Sequence, residues 1–161
     1  NPDGFDTLIM MGGPMSVNEA DIYPYIREEE NFVRDFISKG KKIFGICLGF
    51  QAVMEYFGQP VKPLGDIVHG DSVPVAHNSR GVFEGIEQGA HFARYNSLGV
   101  YQVPDSFEAT ATSNGIVMAA KHKHLPIEGV QFHPESVLSM RDDNGMKLIG
   151  NVVRLYRELK K

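Results

Sequence analysis

Residues 7–11 form an unbroken apolar run after Thr7 and predict a buried strand. Between 25 and 37, Phe32, Val33, Phe36 and Ile37 are apolar. They lie at helical spacing behind a charged, solvated face that includes Arg27 and the glutamates at 28–30, and Lys39 and Gly40 stop the helix. Ile43, Phe44 and Ile46 make a second short apolar run, again strand-like, and 51–57 reads as a helix closed by Gly58. Strand, helix, strand in that order is a βαβ unit, which requires parallel pairing.

Beyond Gly58 the texture changes. From about 60 to 120 the chain is rich in Val, Gly, Pro and Ser, with short alternating runs. Strands are predicted at 73–75, 99–103 and 116–120, partly antiparallel, with Asn114 and Gly115 as a hairpin turn. A further strand is expected over 128–132, running into His133. The stretch 146–159 is helical, with Met146, Ile149, Val152, Val153 and Tyr156 on one face. There is no internal repeat and no low-complexity linker, so the chain reads as one domain.

Composition narrows the classes. The 161 residues are 42% hydrophobic and 22% charged, ordinary for a globular domain. A formal net charge of -4, with basic residues scattered apart from the run 121–124 and the Lys160, Lys161 tail, argues against a nucleic-acid surface. No apolar run reaches membrane-spanning length and no signal-peptide pattern opens the chain, so no membrane is expected and the cytoplasm is the default compartment. The single cysteine excludes an internal disulfide. The opening Asn1, Pro2, Asp3, Gly4 reads as a mid-chain loop without a starting Met, and a fragment is expected.

Three places carry candidate chemistry. Cys47 stands between the strand ending at Ile46 and the following helix, bracketed by Gly45 and Gly49. Such a turn lifts a nucleophile clear of a sheet, and the helix N-terminus favours a thiolate there; an inert buried cysteine is the competing reading. Gly12, Gly13 and Pro14 end the first strand, where a glycine turn can offer N–H groups to an anion, or be simply a tight turn. It lacks the Lys of a phosphate loop, so nucleotide binding is not read from it. His133 and Glu135 are two apart across Pro134, so in extended chain they share a side. A carboxylate so placed can hold Nδ1–H and leave Nε2 as a base; a solvated pair is the alternative.

Both halves in one chain are more specific than either. Residues 45–49 (Gly-Ile-Cys-Leu-Gly) and 129–136 (Gly-Val-Gln-Phe-His-Pro-Glu-Ser) resemble the two signatures of class I, triad-type glutamine amidotransferase domains. The resemblance runs from Leu8 to the last helix. It implies a flavodoxin-like, three-layer α/β domain around a mostly parallel sheet, with the strand before Cys47 near its middle. It also implies a glutaminase with glutamine as substrate, needing no metal or cofactor. Cys47 would attack the side-chain amide and form a γ-glutamyl thioester. His133 would protonate the leaving amine and then activate water, and Glu135 would orient it. The oxyanion would rest on the Leu48 N–H and one from Gly12 or Gly13; Gln51, Ser97 and Leu98 match the substrate-holding positions. The ammonia would pass to a synthase, as separate subunit or fused domain.

Within that family His69, Gly70, His77, residues 81–83 and Arg94, Tyr95, Asn96, Ser97, Leu98 are most similar to the chorismate-using branch, which serves anthranilate or aminodeoxychorismate synthase. Phe50 and Asn96 stand where that branch usually has His, and the Met11 to Pro14 turn resembles the GMP synthase branch. Those departures leave the triad intact and bear on the partner. The alternatives are a glutaminase of another synthase such as GMP synthase, a peptidase or γ-glutamyl hydrolase using the same thioester, or a non-catalytic module. The family normally places a further strand and helix before residue 1, so the domain over 1–161 is expected to lack them.

Overall fold

The computed structural model describes residues 2–14 and 24–158. Strand β1 (Thr7–Met10) leads through the Gly12 loop toward helix α1 (Pro24–Ser38), then β2 (Lys42–Ile46) and α2 (Leu48–Tyr56) follow. Next come β3 (Lys62–Pro74), β4 (Ala76–His77), β5 (His91–Gly99), β6 (Phe107–Ser113), β7 (Ile116–His122) and β8 (Ile127–Val130), and α3 (Asn144–Glu158) ends the described chain. Leu159 and the Lys160, Lys161 tail lie outside the described residues. No helix among the described residues is long and apolar enough to cross a membrane.

One sheet has the order β1-β2-β8-β7-β6-β4, and β3 with β5 forms a separate two-stranded antiparallel ribbon. β1, β2 and β8 pair in parallel, and this half carries the candidate site. β7, β6 and β4 continue the sheet antiparallel. β2 is interior, but second from the β1 end among the described strands instead of near the middle.

Period-2 alternation splits β2 between two cores. Ile43 faces Val33 and Phe36 of α1 and Phe50 and Val53 of α2. Phe44 and Ile46 face the other side, with Leu148, Val152 and Tyr156 of α3 and Phe92 of β5. Helices therefore cover both faces, the three-layer arrangement expected.

Several boundaries differ from the sequence reading. The strand expected over 99–103 ends at Gly99, where the chain bends; Val100 is a buried loop residue. The run at 73–75 is the tail of the longer β3, and the strand expected to reach 132 ends at Val130. β6 carried no prediction. The hairpin at Asn114 and Gly115 is present, with φ of 48° and 75°, the left-handed pair such a two-residue turn needs.

Candidate active site

Cys47 caps α2 with φ 52° and ψ -104°, a conformation that ordinary side chains avoid. Its N–H donates to the Val130 carbonyl at 2.9 Å and its own carbonyl accepts from Gln51 N–H at 3.0 Å, so β8 and α2 together hold the bend. The flanking glycines are needed for room. A Cβ on Gly45 would stand 2.6 Å from the Phe50 nitrogen, and one on Gly49 would stand 2.4 Å from the Met10 oxygen. The elbow is thus wedged between α2 and β1, and Cys47 as a whole is 7% exposed.

His133 lies three residues past the end of β8 and is tied to β5. Its N–H donates to the Ala93 carbonyl at 2.9 Å. Buried Ser139 donates to the His133 carbonyl and accepts from the Ala93 N–H at 2.8 Å. Tyr95 stands edge-on to the imidazole, ring centres 5.2 Å apart, and its hydroxyl is 3.0 Å from Ser136 Oγ. His133 Nδ1 and Glu135 Oε1 are 2.6 Å apart.

The imidazole stands beside Cys47, both within 3.4 Å of where a Cβ on Gly12 would lie. The influence of Cys47, then the bond to Glu135, pushes His133 up to about 10 against the opposing effect of burial. For Glu135, burial works upward but is outweighed by the bond to His133, its own backbone N–H and the imidazolium charge, so the carboxyl is held below its ordinary value. An imidazolium fixed beside the sulfur is the counter-charge a thiolate nucleophile needs.

The Gly12 loop closes the site from the β1 side. A Cβ on Gly12 would lie 2.5 Å from His133 Cε1, 3.3 Å from Nε2 and 3.4 Å from Cys47 Cβ. Its backbone therefore runs directly beside both groups. Gly13 follows, half-buried, and Leu48 opens α2 next to Cys47. Gln51 Nε2 donates to the Leu98 carbonyl at 2.9 Å and to Gln131 Oε1 at 3.1 Å. Ser97 precedes Leu98 on β5 and is exposed. Sequence reading thus named residues that the fold brings together, but it passed over Gln131, Ser139 and the ring contact of Tyr95. Only Gln131 gave any signal, as a polar residue inside an apolar run.

A family model described as glutamine amidotransferase class-I matches residues 1–150. The chain belongs to the class-I glutamine amidotransferases. It is 42% identical over 135 residues to the multifunctional tryptophan biosynthesis protein of Pichia angusta, covering 80% of this chain and 36% of that protein. It is 40% identical to anthranilate synthase component 2 of Thermococcus kodakarensis, covering 98% of this chain and 78% of that one. Among solved structures, a putative GMP synthase subunit from Thermoplasma acidophilum superposes with a TM-score of 0.83 at 25% identity, over 98% of this chain and 75% of that chain. This amidotransferase keeps Phe50 fully buried against Gly45 and Gly129, in the core cluster opposite the one that holds Cys47, while Asn96 hydrogen-bonds the Leu98 carbonyl at 2.7 Å.

Proposed function

We propose that this chain is the glutaminase of a chorismate-using synthase, with Cys47, His133 and Glu135 as its triad. The observation that carries the chemistry is a thiol on a strained elbow, beside an imidazole that a carboxylate holds at 2.6 Å. The Cys47 thiolate attacks the side-chain carbonyl of glutamine. His133 gives its proton to the leaving amine, ammonia departs, and a γ-glutamyl thioester remains. His133 then takes a proton from water, whose oxygen attacks the thioester and releases glutamate. In both halves the oxyanion is met by the Leu48 N–H and one N–H from the Gly12, Gly13 turn. Both N–H groups of Gln51 point inward, so its Oε1 is left to accept from the substrate's ammonium. Ser97 and Leu98 line the same end.

The likeness to anthranilate synthase component 2 over nearly the whole chain supports a chorismate-using acceptor, as separate subunit or fused domain. A GMP synthase acceptor is the second reading, favoured by the Gly12, Gly13, Pro14 turn and by the Thermoplasma structure. A reducing, cytoplasmic setting belongs to the same proposal, because the reaction needs Cys47 as a free thiol.

The test is glutamate release by the chain alone and with each candidate synthase. We expect a slow reaction alone, because a glycine turn can hold its oxyanion N–H groups misaligned, and one misplaced donor costs about 100-fold. A chorismate-using synthase should raise the rate. Cys47→Ala should abolish glutamine use and leave ammonia-dependent synthesis intact. Activation by a GMP synthase instead would transfer the proposal to that acceptor, and wild-type release from Cys47→Ala would end it.

A further inference from the structure

Gln131 follows β8 between Val130 and Phe132, and all three are fully buried. A primary amide withdrawn from water is costly unless its groups are bonded. Its backbone N–H is committed to the Met118 carbonyl at 2.8 Å. Its side chain spans the gap between two site residues: Oε1 accepts from Gln51 at 3.1 Å, and Nε2 donates to Cys47 Sγ at 3.7 Å. The bond to Gln51 needs only an acceptor, whereas the N–H that the amide adds is turned to the sulfur.

We propose that Gln131 is a further catalytic residue, the hydrogen-bond donor to the nucleophilic sulfur, steered by Gln51. The assignment rests on the glutaminase reading for its chemistry, though the bond itself does not. Sulfur carries negative charge when it attacks and again when it leaves the thioester, and is neutral in between. A fixed donor stabilises both charged stages without moving. Gln51 bonds Gln131 and the Leu98 carbonyl with the same nitrogen, so the donor is aligned by the strand that flanks the substrate's amino-acid end.

Cys47 is the only cysteine, so alkylation by iodoacetamide reports on it alone. Among the described residues, the titratable groups facing it are His133 with Glu135 behind, and Tyr95 against the His133 ring. They are unchanged in Gln131→Met, so a difference between profiles belongs to Gln131. We expect Gln131→Met to move the pH midpoint of alkylation up by about one unit, slowing it about 10-fold at pH values below the wild-type midpoint. kcat for glutamate release should fall about 10-fold or more, with KM changed far less. An unshifted profile with kcat intact overturns the proposal. Should Gln131→Met not fold, the wild-type protein decides. The side-chain amide resonance of Gln131 must titrate with the alkylation profile and stop doing so once Cys47 is carboxamidomethylated; an amide indifferent to both overturns it. A shifted profile in a protein that releases no glutamate supports the Gln131 assignment and removes the glutaminase reading instead.

Discussion

Glu135 and His133 hold each other charged over different pH ranges. The folded pKa of His133 is raised above its ordinary 6.5, so its contribution to stability is complete below 6.5 and fades as pH climbs toward about 10. That of Glu135 is lowered from 4.5, so its contribution is complete above 4.5 and is lost as pH falls through the lowered value. Both are therefore complete only between about 4.5 and 6.5. Glu135→Gln keeps an acceptor for the ring and removes the charge. It should destabilise the protein by about 1 kcal/mol inside that window, a modest figure because water reaches part of the carboxylate. The deficit should shrink on both sides. Urea titrations of both proteins from pH 4 to 9 check this, and a deficit that does not vary with pH would show that the charge on Glu135 is not what holds His133.

The elbow joins β2 to α2 by close backbone contact, and the same substitution reads differently there than on a helix surface. Gly49→Ala drives a methyl into the Met10 oxygen at 2.4 Å and its Cβ at 2.5 Å, so β1 or α2 must shift. A loss of about 1–3 kcal/mol is expected, as for other overpacked sites. Gly150→Ala, on the exposed side of α3 with nothing within 4 Å, should instead gain about 0.5–1 kcal/mol from the stiffer unfolded chain and better helix propensity. Equal effects at the two positions in chemical denaturation would mean that the elbow has slack. This crowding is also why the elbow was legible: glycine on either side of a cysteine, after an apolar run, is a local signature. β3 and β5 were not legible for the opposite reason. β3 has Gly and Pro within it and an exposed outer face, and β5 buries Arg94 and Asn96 where alternation looks for apolar side chains. Their pairing is set by partners distant in sequence. Gln131 signalled only its polarity, since nothing in an apolar run says that one side chain ends beside a sulfur 84 residues away.

At the scale of the molecule, the site is assembled from two sheets. The larger one supplies Cys47 and leads into His133; the ribbon supplies Ala93, Tyr95, Ser97 and Leu98. What fixes the ribbon's inner edge is Arg94, 0% exposed, whose guanidinium donates to the Asp66 carboxylate at 3.2 Å, the Asp66 carbonyl at 3.0 Å and Asn96 Oδ1 at 3.1 Å. Asn96 in turn donates to the Leu98 carbonyl that Gln51 also holds. The ion pair is lopsided, because the Asp66 side chain is 41% exposed. Removing Arg94 leaves a carboxylate that water can solvate, whereas removing Asp66 leaves a guanidinium sealed in the interior without its counter-charge. Asp66→Ala should therefore cost about 3 kcal/mol and Arg94→Met only about 1–2 kcal/mol, although Arg94 is the more buried partner. Both should raise KM for glutamine several-fold by loosening Leu98. Alkylation of Cys47 should slow less than in Gln131→Met, because the elbow is built on the other sheet and Leu98 reaches the sulfur only through Gln51 and Gln131. Melting curves, KM and alkylation rates on the two variants separate these effects. A larger stability loss from Arg94→Met would reverse the solvation argument, and an unchanged KM in both would mean that the ribbon does not position the substrate.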